Sequence, residues 1–373
     1  MEQLIVGAGL SGMVASILLA RRGYKVRVLE KYKTVGGQPE RWPAVDVTPM
    51  APELLSKYLG IEIGEPQVKQ TKALRAFLWG ERFRVPLEGS NLCCVERGPR
   101  KTGLDGYLWR LAESEGVKFE FECPVSGQGA LSVLTPRTII ATGLYVESFD
   151  ALRIPYQMGW CYGLKGHTSK EGEAAIFFGD YTTDYGYWSC MNGIDMVFLF
   201  RRGPISPKDL GQFEKEIKEE GLKGGQWLFG YGPTPTASFS NPRLFCGNKI
   251  LAGTLAGMIE PFVLFGVHGA LVSGKISAMA VEDANDALRE FKKALFAWKR
   301  ALLARKVYDK SPQDFRKQGV IGINRILRTL GPSLGGRLLE KGFSSVPGYR
   351  MVVAKRYKNY SDSNSSSCVG VSK

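Results

Sequence analysis

The first apolar positions of the chain form a short unbroken run, and a helical pattern follows after a turn. Residues 4–6 (Leu-Ile-Val) have the character of a buried parallel strand. From Val14 to Ala20, apolar residues recur at three- and four-residue intervals, which predicts one face of a helix. Gly23 ends this pattern, and the alternating stretch "KVRVLE" predicts a second strand that closes at Glu30. The chain is therefore predicted to begin as a strand–turn–helix–strand unit.

Strand and helix patterns both recur later in the chain. Residues 155–250 predict strands, with turns at Gly179-Asp180 and Asn192-Gly193, and Asn-Gly between apolar runs is a strong hairpin signal. Helical spacing returns over residues 104–116 and again in the C-terminal segment. The C-terminal apolar stripe consists of Leu288, Phe291, Leu295, Trp298 and Leu302. Together these patterns predict a mixed α/β (α+β) fold.

Charge is distributed unevenly along the 373 residues. The formal net charge is +14, and residues 289–373 contain 19 basic and 5 acidic residues, so this segment accounts for the whole surplus. A basic segment on a neutral body suggests an anionic partner, such as a phospholipid surface, a phosphorylated substrate or nucleic acid. The alternative is a solvated helix face without a partner. Nucleic acid is the weakest of these, because no recognised nucleic-acid-binding module is present.

Other sequence features bear on location. No apolar run reaches the roughly 18 residues of a membrane-spanning helix, and no basic region precedes the first apolar run as in a secretory signal. The seven cysteines show neither a disulfide framework nor metal-ligand spacing. We therefore expect a cytoplasmic protein, peripheral to the membrane, with no metal site.

The turn after the first strand is rich in glycine. Gly7, Gly9 and Gly12 fit the pattern G-x-G-x-x-G between a strand and a helix. Gly7 permits the tight turn, Gly9 the close approach of a pyrophosphate, and Gly12 close packing of helix on strand. Glu30 lies where a carboxylate accepts the hydroxyls of an adenosine ribose, and it would repel the 2′-phosphate of NADP. This pattern predicts a dinucleotide site.

A glycine pair, Gly36-Gly37, follows Glu30 within a few residues. The stretch from Gly7 to Gly37 therefore resembles the extended dinucleotide-binding motif of FAD-dependent oxidoreductases, and this resemblance implies FAD rather than NAD. The residues that it assigns to the cofactor are Gly7, Ala8, Gly9, Gly12, Glu30, Lys31 and Gly37, with Arg41 as a phosphate or adenine contact.

Two further segments resemble parts of the p-hydroxybenzoate hydroxylase-like flavoprotein fold. In "VERGPRKTGLDGYLWRLAESEG" an arginine precedes a helix, so Arg97 or Arg100 would reach the flavin, while Asp105 would cap the helix. In "TIIATGLY", Thr142 and Gly143 would bring the chain back beside the cofactor, although a plain strand-end turn is the alternative.

A third segment, "ILAGTLAGMIEPFVLFGVHGALVSG", resembles the stretch that covers the flavin in the same fold. Gly253 and Gly266 match that pattern, but Thr254 stands where the family carries an acid. A threonine hydroxyl makes a weaker bond than a carboxylate, so either FAD is held less tightly or the site has been altered in this lineage.

These resemblances imply a Rossmann-like FAD-binding domain with an inserted antiparallel β-sheet substrate domain and a C-terminal helical segment. The predicted bounds are 1–154 and 243–285 for the FAD-binding domain, 155–242 for the β-rich domain, 286–345 for the basic helices and 359–373 for a disordered tail.

The stretch "DYGYWSC" lies where the geranylgeranyl reductase family carries Gly-Tyr-x-Trp-x-Phe-Pro. Tyr185 matches the family tyrosine and Tyr187 replaces the tryptophan. With the order and spacing of segments over residues 1–345, the chain resembles that family, whose members saturate isoprenoid double bonds. The resemblance implies that both tyrosines shape a channel for a polyprenyl chain. The alternative is an aromatic face that only stabilises the sheet.

The implied reaction is hydride transfer from reduced flavin to one alkene carbon and proton transfer to the other. Tyr185, Tyr187 and His268 are the candidate catalytic residues, and a packing role is the alternative for His268. No second nucleotide-binding unit is apparent, so an external electron donor such as NADPH is expected.

The C-terminal stripe is bordered by lysines and arginines, which is typical of a helix that lies on an anionic bilayer, although packing on the body is an equal alternative. Two other functions remain open: a flavin-dependent monooxygenase or halogenase of a small aromatic, and a non-catalytic isoprenoid-binding protein on the same fold.

Overall fold

The computed structural model describes residues 1–38, 42–87, 90–125, 127–166, 170–221, 227–234, 242–296 and 298–343. Arg41 and the tail 359–373 lie outside these described residues.

The strands within the described residues fall into three sheets. In chain order they are β1 (Glu2–Val6), β2 (Lys25–Leu29), β3 (Ala44–Pro49), β4 (Val68–Gln70), β5 (Ala73–Leu78), β6 (Glu81–Val85), β7 (Leu92–Arg97), β8 (Lys118–Glu120), β9 (Ile139–Ile140), β10 (Gln157–Gly166), β11 (Glu173–Phe178), β12 (Gly186–Met191), β13 (Ile194–Arg202), β14 (Trp227–Thr234), β15 (Phe245–Cys246) and β16 (Lys249–Leu251).

Helices cover the sheets and form the C-terminal segment. They are α1 (Leu10–Ala20), α2 (Pro52–Leu59), α3 (Leu104–Ser114), α4 (Gln128–Ser132), α5 (Val146–Ala151), α6 (Pro207–Glu219), α7 (Val267–Glu282), α8 (Ala284–Phe296), α9 (Lys299–Lys310), α10 (Gln313–Thr329) and α11 (Gly331–Phe343). None of these helices combines the length and apolar character needed to cross a bilayer.

The first sheet has the order β15-β16-β9-β1-β2-β8, and β1 runs parallel to both of its neighbours. Helices α1 and α7 pack together over it in the main core, where most apolar side chains of α1 are fully buried. The helices touch at Gly274, because a Cβ there would lie 2.5 Å from the backbone oxygen of Ser11. The predicted α/β fold and its opening strand–turn–helix–strand unit are confirmed.

The second sheet has seven strands in the order β14-β10-β13-β12-β11-β5-β6. Strands β12 and β13 form the hairpin predicted at Asn192-Gly193, where both residues have positive φ (53° and 72°). Strand β5 runs parallel to β11, so residues 73–85 belong to this sheet although they lie within the segment assigned to the FAD-binding domain. The domain bounds as a whole stay a prediction. A small third sheet has the order β3-β7-β4, and in the chain β5 and β6 of the second sheet lie between its strands β4 and β7.

The C-terminal apolar stripe does not face outward. Phe291 and Trp298 are only 2% and 4% exposed, and they pack with Leu288 and Leu295 on the main core. The stripe is also divided, because α8 ends at Phe296 and α9 begins at Lys299. The periodicity of these residues therefore serves packing on the body, which was the alternative reading of the stripe, while membrane contact through the basic C-terminal helices stays a prediction.

Candidate active site

The glycine turn fixes α1 closely against β1. Gly7 has φ +102°, and a Cβ there would lie 2.5 Å from the carbonyl oxygen of Ala141. A Cβ on Gly12 would lie 2.0 Å from the oxygen of Gly7, so neither position accepts a side chain. Gly9 differs, because its Cβ would meet only the Ala141 oxygen at 3.9 Å and its φ is an ordinary −77°. Gly9 therefore faces open space rather than the protein.

Gly9 is also the N-cap of α1, and no side chain caps this end of the helix. It lines a cavity of about 630 Å³ together with Leu10 and Ser11 of the first helical turn. Helix α7 begins at the same cavity, with Gly266 as an N-cap that likewise has no side-chain cap. Two helix N-termini at one cavity favour a bound anion, such as a pyrophosphate.

Glu30 follows β2 and lies beside the N-terminus of α1. Its carboxylate accepts hydrogen bonds from the backbone N–H groups of Ala8 (2.7 Å) and Tyr32 (3.0 Å). Burial raises the pKa of Glu30, and the N–H bonds oppose that rise. Lys31 follows, with its ammonium 3.6 Å from the centre of the Tyr145 ring. An acceptor at this strand end suits the hydroxyls of a ribose.

The return of the chain at Ala141 supplies another polar group. Thr142 and Gly143 both line the cavity after β9. The Thr142 hydroxyl is buried and has no hydrogen-bond partner among the described residues. A buried orphaned hydroxyl is costly, and a bound ligand would satisfy it.

Thr254 also lines the cavity, in a single turn of 3₁₀ helix, Gly253–Ala256. The backbone N–H of Gly253 donates to the Ser273 hydroxyl at 2.8 Å, which joins this turn to α7. Gly253, Thr254 and Gly266 thus meet the residues of the N-terminal turn in one cavity.

An aromatic sheet face forms the opposite wall. Tyr187 lies 5.2 Å and 5.8 Å from Phe198 and Phe200 between ring centres, and Tyr185 lies 5.3 Å from Phe200. The other residues of the second sheet at this wall are apolar: Leu74, Ala174, Ala175 and Ile176. This wall suits a hydrocarbon ligand.

The two tyrosine hydroxyls have different partners. Tyr185 donates to the backbone oxygen of Val263, in the loop 259–266 that also lines the cavity. Tyr187 donates to the Asp46 carboxylate at 3.0 Å. Because Asp46 lines the cavity as well, the Tyr187–Asp46 pair places an exchangeable proton at an otherwise apolar wall.

Arg97 joins Asp46 to Asp105. It contacts the Asp105 carboxylate through two nitrogens (2.8 and 2.9 Å) and Asp46 through a third (3.1 Å). Burial lowers the pKa of the Arg97 guanidinium, but the two carboxylates outweigh it and the pKa is raised. Of the two candidate arginines, the structure thus places Arg97 at the cavity, whereas Arg100 pairs with Glu96 at 3.3 Å.

Asp105 is not the helix cap that the sequence suggested. The N-cap of α3 is Gly103, and Asp105 is fully buried one residue inside the helix. Its carboxylate accepts the N–H of Gly98 at 2.9 Å in addition to the bonds from Arg97. Asp105 pairs with the Arg97 guanidinium instead of capping the helix, because a buried carboxylate needs a charged partner.

His268 is fully buried in the first turn of α7 and does not line the cavity among the described residues. The structure therefore brings Tyr185 and Tyr187 to the cavity but not His268. Asp46 is the residue that the sequence analysis missed. The signal is slight: one acid in the otherwise uncharged strand "AVDVTP".

Glu260 organises the loop 259–266. It is 4% exposed, and its carboxylate accepts N–H groups of Phe262 (3.0 Å) and Val263 (2.6 Å). Burial raises its pKa from 4.5 to about 7, against the lowering effect of the backbone bonds.

Glu260→Gln is expected to change the pH dependence of stability. Between pH 4.5 and about 7 the unfolded chain loses the Glu260 proton first, so folding stability falls as pH rises and stays lower above pH 7. Glutamine does not titrate, so the variant does not lose stability in this way as pH rises. The unfolding free energy of the variant minus that of the wild type should therefore rise by about 2–3 kcal/mol between about pH 5 and about pH 8. Denaturant unfolding at both pH values measures this, and a constant difference would contradict it.

Comparison with known proteins agrees with this geometry. Residues 5–47 match the family of NAD(P)-binding Rossmann-like domains. No curated protein matches the sequence. Among solved structures, a geranylgeranyl bacteriochlorophyll reductase-like protein from Thermoplasma acidophilum has a TM-score of 0.67 at 14% identity, covering 96% of this chain and 100% of that chain.

Two other solved structures are similar over nearly the same length. The p-nitrophenol 4-monooxygenase of Pseudomonas putida has a TM-score of 0.63 at 13% identity, covering 93% of this chain and 99% of that one. A variant of Klebsiella pneumoniae HpxO complexed with FAD has a TM-score of 0.60 at 16% identity, with the same coverage of 93% and 99%.

The chain shares its fold, over 93–96% of its length, with these three solved structures. The predicted Rossmann-like sheet and C-terminal helices are present, and the second sheet is antiparallel as predicted except where β5 runs parallel to β11.

Proposed function

We propose that the protein is an FAD-dependent oxidoreductase that reduces carbon–carbon double bonds of an isoprenoid lipid. The observation that carries this proposal is a single cavity with a dinucleotide-binding turn at one side and an aromatic hydrocarbon wall at the other.

The residues of the turn fit FAD. The helix N-termini at Gly9 and Gly266 would hold the pyrophosphate, and Glu30 would accept the ribose hydroxyls. Thr142 would give its orphaned hydroxyl a partner. Thr254 offers only a neutral hydroxyl where related proteins carry an acid, so we expect weaker FAD binding. When bound and reduced, FAD supplies the hydride.

The charges at the cavity favour an uncharged substrate. Among the described residues, the cationic side chains that line it are Lys31 and Arg97. Lys31 lies against the Tyr145 ring, and Arg97 is bound by two carboxylates. Neither cation can therefore pair with a substrate carboxylate at the aromatic wall. A hydrocarbon substrate needs no cationic partner.

The protein's own contribution to chemistry is the proton. Hydride addition to one alkene carbon leaves the other carbon in need of a proton, and Tyr187 carries one at the apolar wall. Asp46, whose side chain is 29% exposed, can replace that proton from water through its bond to Tyr187. Arg97 holds Asp46 in place. Tyr185 positions the loop 259–266 through Val263.

We expect the purified protein to show a flavin spectrum and, after dithionite reduction, to saturate double bonds of a geranylgeranyl lipid. This expectation is supported by the cavity, which has the glycine turn at one side and the apolar sheet face at the other. Mass spectrometry would detect a gain of two hydrogens for each double bond reduced. A transiently bound donor such as NADPH would replace dithionite in the complete reaction.

Three results would redirect the proposal. Absence of bound flavin after reconstitution would favour a non-catalytic lipid-binding protein. Rapid oxygen consumption that depends on a small aromatic would favour a monooxygenase or halogenase. An unchanged alkene count in every isoprenoid tested, with flavin fully reduced, would exclude the proposed substrate class.

A further inference from the structure

Exposed apolar residues concentrate in the C-terminal helices. Of the eleven large apolar side chains that are exposed in the described residues, eight lie between Phe296 and Leu338. Three of them lie at the end of α8 and along α9: Phe296 is 70% exposed, Leu303 64% and Val307 54%. These are different residues from the predicted stripe, which packs on the core.

Basic residues share the same face of α9. Lys299, Leu303 and Val307 follow each other at intervals of four, so they lie in one row along the helix. At 3.6 residues per turn, all six members of the outward face fall within an arc of about 120°. We name this set the outer face of α9: Lys299, Arg300, Leu303, Lys306, Val307 and Lys310.

The opposite side of α9 is fixed to the body. Arg305 is 4% exposed and pairs with Asp184 (2.5 Å) and Asp309 (2.9 Å). It also donates to the backbone oxygen of Phe262 at 2.7 Å. Ala301 is buried on the same side. The orientation of the outer face is therefore set by buried contacts.

The four cations of the outer face form no ion pair with the described residues. The Lys299 ammonium lies 5.0 Å from the centre of the exposed Phe296 ring, which extends the patch beyond α9. Apolar side chains at the centre of a basic arc match the order of a bilayer, with hydrocarbon beneath anionic headgroups. A protein partner would need acidic groups arranged around an apolar pocket.

We propose that the outer face of α9, with Phe296, docks on an anionic phospholipid bilayer. The docked helix places the loop 259–266, which lines the cavity, about one helix diameter from the lipid. This inference goes beyond the proposed reaction, because membrane docking is measured without turnover.

The test is co-sedimentation of the full chain, loaded with FAD, with vesicles of phosphatidylcholine alone or mixed with phosphatidylglycerol. We expect binding only to the mixed vesicles, weakened by salt. Leu303→Glu and the double variant Lys299→Glu/Lys306→Glu should each lower the partition coefficient about tenfold or more. Val133→Glu is the matched control, since Val133 is 81% exposed outside the patch.

The inference is overturned if Leu303→Glu binds mixed vesicles as well as wild type does, or if neutral vesicles bind equally. It is also overturned if the variants alter the molecular mass of the free protein in sedimentation but leave vesicle binding unchanged. That result would mean that the patch contacts a second copy of the chain. The flavin content of each variant shows that it is folded, and alkene reduction in detergent tests the proposed reaction separately.

Discussion

Gly9→Ala is expected to lower the affinity for FAD on the order of 100-fold, equivalent to about 3 kcal/mol, with the fold intact. A Cβ at Gly9 would meet no protein atom closer than 3.9 Å, and the backbone there is extended. The new methyl group would instead occupy the space before the N-terminus of α1, where the pyrophosphate would lie. Quenching of flavin fluorescence in a titration of the apoprotein measures the affinity.

Gly211→Ala is the matched control. Gly211 lies within α6, where a Cβ would meet nothing within 4 Å, so FAD affinity should not change and stability should rise by roughly 0.5–1 kcal/mol. Thermal unfolding of both apoproteins separates binding from folding. If Gly9→Ala bound FAD with wild-type affinity, the pyrophosphate could not lie at this turn.

Asp46→Asn is expected to slow alkene reduction about 100-fold. Asparagine still accepts the hydrogen bond from Tyr187, but it cannot return a proton to it. Tyr187→Phe should have a similar effect, and the double variant should lose little more, because both residues act in one relay. Single-turnover reduction of a geranylgeranyl lipid by prereduced protein measures the rate.

Tyr185→Phe provides the comparison, since its hydroxyl bonds to Val263 and not to a carboxylate. We expect it to raise KM through the loop 259–266 while changing the single-turnover rate much less. The solvent isotope effect on the single-turnover rate gives a second readout. Its loss in Asp46→Asn would mean that another route now delivers the proton. An Asp46→Asn protein with the wild-type rate and isotope effect would remove the relay from the mechanism.

The N-terminal half of the site was predictable because its causes are local. Gly7 is favoured by its positive φ of +102°, Gly12 by its contact with the backbone oxygen of Gly7, and Glu30 follows at the end of the next strand. Strand β1, helix α1 and the glycine turn therefore follow from spacing alone, as does their assignment to a dinucleotide-binding fold.

Asp46 and its partners could not be predicted in the same way. The contacts Tyr187–Asp46 and Asp46–Arg97 join residues 141 and 51 positions apart. The first depends on how two sheets meet, and the second on the pairing of β3 with β7 in the small sheet. Asp105 was predicted to be a helix N-cap, because it lies at the start of a leucine-rich helical pattern. Only the tertiary structure reveals Arg97, a partly buried arginine that binds the same carboxylate.

The C-terminal helices show a second limit. Periodicity identified an amphipathic stripe from Leu288 to Leu302, but it does not distinguish a protein core from a bilayer as the apolar environment. Burial of Phe291 and Trp298 decides in favour of the core. The exposure of Leu303 and Val307 could not be predicted from the sequence. A run of both apolar and basic residues is compatible with two different helix faces turned toward solvent.

The way in which β5 and β6 join the second sheet restricts how the cavity opens. The chain passes between this sheet and the rest of the protein four times, after Gln70, Val85, Ala151 and Thr234. A domain joined to the rest of a protein by two chain connections can rotate about them as a rigid body. Four connections at different strands oppose such a rotation of the second sheet. Admission of a long ligand would then depend on local movement of a wall segment. The segment 259–266, which contains Glu260 and is contacted by Tyr185 and Arg305, is one of the loops in that wall.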